Sequence, residues 1–120
     1  PRDLLAASLP DPATLGSRMK GKTCAGILVK GLDKSGEPKA VYIYNVIDNG
    51  WSMAEYGDQA VVWQTAINPV IAMELINEGI WRPEGVNGPE WFDSVPFLNK
   101  LEEYGTEWKI RDESTVGINK

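Results

Sequence analysis

Histidine is missing altogether from these 120 residues. The commonest acid–base side chain and the commonest zinc ligand are therefore both unavailable, and no metal site is expected. Cysteine occurs once, as Cys24. That excludes an internal disulfide and fits a reducing cytoplasm; the residue itself is expected to be a small buried hydrophobe in a strand. No stretch approaches the roughly 18 consecutive apolar residues of a membrane span, and nothing resembles a signal peptide. Basic side chains are outnumbered too, 12 Lys and Arg against 17 Asp and Glu, for a formal charge of −5. Binding to a phosphate backbone needs clustered Lys and Arg, so neither nucleic acid nor membrane is an expected partner. The glycine fingerprint GxGxxG of a dinucleotide-binding unit does not occur, so no cofactor site of that kind is expected in this chain.

What is present fits one folded domain over residues 1–120. Hydrophobic residues make up 42% of the chain and there are five tryptophans, enough for a real core. Trp51, Trp63, Trp81, Trp91 and Trp108 are too scattered for a stacking platform and are expected as core and interface anchors. The sequence opens at Pro1 without a methionine, as expected of a fragment.

Taken in order, Asp3 to Leu9 reads as a short helical piece with Asp3 available as a cap, stopped by Pro10-Asp11-Pro12. Residues 11 to 21 read as an irregular connection. Thr23 to Leu32 is a strand, with Gly26 hinting at a bulge or a close backbone approach. Asp33-Lys34-Ser35-Gly36 is a turn, and Ala40 to Asp48 is the clearest strand, so the two pair as an antiparallel hairpin. Asn49-Gly50 punctuates, and Trp51 to Tyr56 makes one or two helical turns. Arg82 to Pro89 is a loop; from Glu90 a helix runs, after a break at Pro96, to Gly105. Thr106 to Arg111 resumes strand-like alternation, and residues 114–120 look like a tail.

Between these pieces lies the most informative stretch. Ala60 to Ile67 is rich in β-branched and aromatic residues and predicts a short buried strand. Asn68 then serves as an N-cap with Pro69 at the first helical position, and a helix follows to about Glu78. Glu74, Asn77 and Glu78 form one narrow wet stripe, while Val70, Ile71, Met73, Leu75 and Ile76 cover the rest, which predicts a helix buried on several sides. Gly79 stands where a left-handed residue closes a helix.

Two motifs invite a functional reading. Gly16, four residues, then Gly21-Lys22-Thr23 spells a Walker A string. A phosphate loop works because a strand enters the glycines and a helix leaves them, and here neither flank has that character, so the string is read as a coincidence. Asp48, Glu55, Asp58 and Gln59 fall at the ends of elements and are expected to gather at one rim of the sheet. Carboxylates so placed either hold the ammonium groups of a diamine by charge-assisted hydrogen bonds or act as ordinary solvated caps and turns. Tyr44 and Thr65 are polar contacts on the same terms.

Tyr44-Asn45-Val46, Asp48-Asn49, Glu55-Tyr56-Gly57-Asp58-Gln59-Ala60, Thr65 with Pro69, and Gly79-Ile80-Trp81 follow in an order that resembles the second domain of saccharopine-dehydrogenase-like oxidoreductases. Within that group the chain is most similar to the carboxynorspermidine (carboxyspermidine) dehydrogenases, over roughly residues 9 to 113. It departs from their pattern at Asn49, where histidine is usual, at Asp58 for serine, and at Ala66 for glycine. The resemblance implies an α+β fold with a mixed, largely antiparallel sheet and helices packed on one face. It also implies a C-terminal fragment of a larger oxidoreductase, with no dinucleotide-binding domain in this chain. The parent would join an amine to an aldehyde as an imine and reduce it with NADPH held by a domain outside this chain. Carboxynorspermidine enzymes do this with aspartate semialdehyde and a diamine, in polyamine synthesis. This chain would then serve as a substrate-binding and dimerisation domain of a cytoplasmic homodimer, catalytically inactive alone. Its substrate-binding candidates are Tyr44, Asp48, Asn49, Glu55, Asp58, Gln59 and Thr65. No catalytic residue is assigned. The alternatives are a saccharopine dehydrogenase of lysine metabolism or a binding module without catalysis.

Overall fold

Polar turn chemistry, not apolar burial, joins the two longest strands. In the computed structural model, which describes residues 1–82 and 84–114, β1 (Lys22–Leu32) and β2 (Pro38–Asp48) are connected by a turn around Asp33. Asp33 Oδ1 accepts from the backbone N–H groups of Ser35 at 2.8 Å and Glu37 at 3.0 Å, which fixes the reversal. β3 (Trp108–Asp112) pairs antiparallel with the other side of β2, with Tyr42 opposite Arg111 and Tyr44 opposite Lys109. The sheet order is β1-β2-β3. A mixed sheet was expected; the described strands are all antiparallel, β1 and β2 because a turn this short permits no parallel crossover, and β3 by its pairing with β2. Gly26 proves to be a close approach: a Cβ there would lie 2.6 Å from the Ile43 carbonyl oxygen and from Tyr44 Cβ.

The chain forms two compact units, the first made of Pro1–Thr23 with Ile47–Ala66, the second of Cys24–Val46 with the described residues from Ile67 onward. In the first, α1 (Arg2–Ser8) ends ahead of Pro10, with Asp3 inside its first turn and not at its cap. The connection expected to be irregular is a 3₁₀ segment, Pro12–Arg18, capped by the Asp11 carboxylate. α2 (Asn49–Glu55) follows β2 directly. Ile47, Asn49, Ser52, Ala60 and Trp63 are the buried residues around which this unit is built.

The largest departure from expectation is α3 (Ala60–Asn77), one helix where the sequence predicts a strand and then a helix. Ala60, Trp63, Ile67, Ile71 and Leu75 are all buried. Their spacing of three, then four, four and four residues is helical throughout and runs past Pro69. β propensity is worth only tenths of a kcal/mol per residue, whereas burying Trp63 and Ile67 is worth roughly 1.5–3 kcal/mol each, so burial decides. Pro69 therefore sits inside the helix, not at its start, and supplies no N–H to the Thr65 carbonyl. Nor is α3 buried on several sides: Ile71 and Leu75 are fully covered, but Met73 is 62% and Ile76 46% exposed. Gly79 closes the helix at φ +70°, with Ile80 N–H donating to the Leu75 carbonyl at 2.9 Å and Gly79 N–H to that of Ile76 at 3.0 Å.

Beyond the loop, Pro89–Trp91 makes a single 3₁₀ turn and α4 (Val95–Glu103) begins after Ser94. Pro96 thus opens α4 instead of breaking a longer helix, since a proline in the first turn forfeits no hydrogen bond. Ser114 ties back to β2 through Ala40 N–H at 3.1 Å; the remainder of the expected tail, 115–120, lies outside the described residues, as does Pro83 of the loop.

Candidate functional site

Of the polar residues singled out by sequence, Asp48 and Asn49 stand at the start of α2, and Asp58 and Gln59 follow its end. Asp48 ends β2 with extended backbone, and its Oδ1 accepts from Gly50 N–H at 2.8 Å and Trp51 N–H at 3.1 Å. It caps the helix. Asn49, the next residue, is buried. Its Nδ2 donates to the carbonyls of Gly16 at 2.9 Å and Met19 at 3.0 Å, and its Oδ1 accepts from Ala60 N–H at 3.0 Å. Ser52, also buried, donates from Oγ to the Asp58 carbonyl at 2.8 Å. Gln59 Nε2 reaches the Pro12 carbonyl at 2.7 Å, while the Gln59 carbonyl accepts from Val62 and Trp63 in the first turn of α3. Asp48, Asn49, Asp58 and Gln59 are thus brought together around α2, on caps and crosslinks that hold the segment in place.

Glu55 ends α2 and is exposed, as is Asp58; the two bracket Tyr56. Thr65 is exposed on α3, its hydroxyl turned back to the Val61 carbonyl at 2.8 Å. Sequence reasoning missed the aromatic group that the same stretch of chain builds. Trp51, Tyr56 and Trp63 pack with ring centroids 5.4–5.6 Å apart. The helical spacing of Ala60, Trp63 and Ile67 was the signal, because it turns Trp63 inward toward the unit's core. Carboxylates and aromatic faces are both groups that suit an organic cation, the first through charge-assisted hydrogen bonds and the second through the negative faces of the rings.

Tyr44 lies on the sheet of the second unit, stacked on Tyr42 at 4.8 Å. The Arg111 guanidinium covers both rings, at 5.5 Å and 5.8 Å, and is itself paired with Glu113. Cys24 is exposed, not buried, because its position on β1 faces this aromatic pair at the surface; its Sγ stands 3.6 Å from the Tyr42 hydroxyl. That contact, with desolvation second, pushes the Tyr42 phenol above its ordinary value. The tryptophan anchors are borne out at Trp63 and Trp81, both buried, but Trp91 is 76% exposed.

The second unit also holds an apolar cavity of about 540 Å³ lined by Pro69, Ala72, Trp81, Pro89 and Phe97, with Asn68 and Ser94. Trp81 stacks on Phe92 at 4.8 Å and Phe97 at 6.0 Å, and its Nε1 donates to the Asp93 carbonyl at 3.0 Å. Among the described residues no charged side chain lines it. It accepts apolar groups and has nothing to neutralise an ammonium. Among the described residues no three His, Cys, Asp or Glu side chains group as metal ligands, and no helix is long and apolar enough to cross a membrane.

No protein-family profile matches the chain. It is 38% identical over 108 residues, 90% of its length, to the carboxyaminopropylagmatine dehydrogenase of Synechocystis sp. (strain ATCC 27184 / PCC 6803 / Kazusa). It is 32% identical over 112 residues, 93% of its length, to the carboxynorspermidine synthases of Vibrio alginolyticus and Vibrio cholerae serotype O1. A 108-residue stretch of a 120-residue chain takes in every motif from Tyr44 to Trp81. The chain spans about a quarter, 27%, of each relative's length. In sequence, therefore, this chain is similar over nine-tenths of its length to a quarter-length segment of the carboxynorspermidine synthases and of carboxyaminopropylagmatine dehydrogenase.

Proposed function

We propose that this chain is a segment of a polyamine-forming oxidoreductase of the carboxynorspermidine synthase kind, built on the saccharopine-dehydrogenase plan. The observation that carries this reading is the similarity, across nine-tenths of the chain, to three proteins named for that chemistry. The segment supplies substrate-binding and dimerisation surface. The parent is a cytoplasmic homodimer that joins an amine to an aldehyde and reduces the product with a nicotinamide cofactor. This chain's own residues do not fit that cofactor: the glycine fingerprint is missing, and β1 and β2 form a hairpin where a dinucleotide site needs a strand–helix–strand crossover. NADPH therefore belongs to the rest of the parent.

Within the segment, Glu55 and Asp58 hold the amine's ammonium group beside Trp51 and Tyr56. Asp48, Asn49 and Gln59 position them, since their side chains are taken up by the cap and by crosslinks around α2. Thr65, in the same unit, is a further polar contact for the substrate; Tyr44, on the sheet of the second unit, is a separate polar candidate. The test is to produce the protein encoded by the complete reading frame and follow NADPH oxidation with aspartate semialdehyde and a panel of diamines. Oxidation that requires both aldehyde and amine supports the reading; oxidation by neither pair contradicts it.

A further inference from the structure

We infer that the outer face of α3, with the cavity beside Trp81, is a docking surface for the part of the parent polypeptide that lies outside this chain. The segment that docks is uncharged and carries a bulky apolar side chain. This rests on reading the chain as a segment of a longer enzyme, and not on the reaction assigned to that enzyme. Between Ile67 and Ile76 of α3 only Asn68 and Glu74 are polar. A helix apolar on all sides is one that is covered on all sides. Here one face is covered: Ile67, Ile71 and Leu75, four residues apart, are buried. Pro69, Ala72, Met73 and Ile76 fall together on the other side of the helix by their spacing. Among the described residues Met73 and Ile76 are left open to water, 62% and 46% exposed. The burial on several sides that the sequence predicts is therefore half met.

The cavity continues that open face. Pro69 and Ala72 line it together with Trp81 and Phe97, and its lining is almost wholly carbon. The Trp81 Nε1 is already bonded to the Asp93 carbonyl. Sites for small ligands fix orientation with a few placed polar groups, which this cavity does not offer. A side chain delivered by a folded backbone needs none, because its own chain holds it in place. The chain spans 27% of each relative's length, so most of such a protein lies outside it. A segment tethered in the same polypeptide stands at an effective concentration on the order of millimolar, which favours it over a second copy.

The experiment uses the complete parent protein. Hydroxyl-radical footprinting read by mass spectrometry gives the oxidation rate of Met73 in the native and in the urea-unfolded protein. A rate at least tenfold slower in the native protein is expected; equal rates would overturn the proposal. Within the 120-residue chain alone the position stays open to water. A photo-reactive benzophenone side chain placed at position 76 then identifies the cover. The expected product keeps the mass of a single chain on a denaturing gel and joins position 76 to a residue beyond these 120. A doubled mass would make the cover a second copy and overturn the proposal. So would saturable binding of indole to the wild-type parent that Ala72→Trp abolishes, since the cavity would then stand open to a small molecule. None of these readouts involves turnover. A parent that covers Met73 but oxidises no NADPH with any amine would refute the proposed reaction and leave this docking surface supported.

Discussion

Asn49 engages three separate stretches of chain through one amide: Gly16, Met19 and Ala60. A neutral imidazole has one donor and one acceptor and cannot satisfy all three, so this residue does work here that the histidine of the resembling family would not reproduce. Asn49→Ala should lower unfolding free energy by about 3 kcal/mol, roughly 1 kcal/mol per lost hydrogen bond, and more where a buried partner stays unmatched. Urea unfolding at neutral pH measures it. Asp48→Asn should cost only a few tenths of a kcal/mol, because asparagine caps as well as aspartate. Lys100 is the other residue with a legible role. Its ammonium lies 2.8 Å from Glu78, 3.6 Å from Glu103 and 3.7 Å from Glu74, and the hydrogen bond to Glu78, before the charges around it, raises its pKa. A raised lysine pKa contributes stability that is fully present below the unfolded value, about 10.4, and is lost as pH climbs through the folded one. Melting temperature should therefore hold up to about pH 10 and fall above it. In Lys100→Met that alkaline fall should be shallower.

At the scale of elements, α3 separates the buried from the exposed. Leu75→Asp places a carboxylate at a fully buried position, at a cost of several kcal/mol, and should leave the second unit unfolded. Met73→Asp, at a 62% exposed position, should shift the melting temperature by only a degree or two. Circular dichroism melts of the two variants decide; equal damage would mean the helix phase is wrong. The hairpin, the helix closure at Gly79 and strand β3 were readable from the sequence because each rests on local signals, a turn residue or period-two alternation. The first half of α3 was not. Val61, Val62, Thr65 and Ile67 look like strand residues, and Pro69 looks like a helix start, when each is judged by its neighbours. Only the longer spacing from Ala60 to Leu75 carries the helical period, and it is visible once the proline is allowed inside. Cys24 failed for a related reason: a strand at the edge of a three-stranded sheet leaves a small side chain exposed.

For the whole molecule, the sequence indicated where the polar residues would gather but not what they do there. Asp48, Asn49, Asp58 and Gln59 do meet around α2, yet a capping aspartate and a ligand-holding aspartate have the same sequence signature, and only the hydrogen bonds separate them. That leaves Glu55 and Asp58, both exposed and in the same stretch of chain as Trp51 and Tyr56, as the carboxylates on which the proposed function depends. The direct measurement is steady-state kinetics of the complete parent protein with Glu55→Gln and with Asp58→Asn. Each variant keeps its shape and loses one charge. The account predicts a fall of about tenfold or more in kcat/KM for the amine, which is at least about 1.4 kcal/mol of transition-state binding, with the apparent KM for NADPH unchanged. Normal amine kinetics in both variants would contradict the assignment of this surface to the substrate.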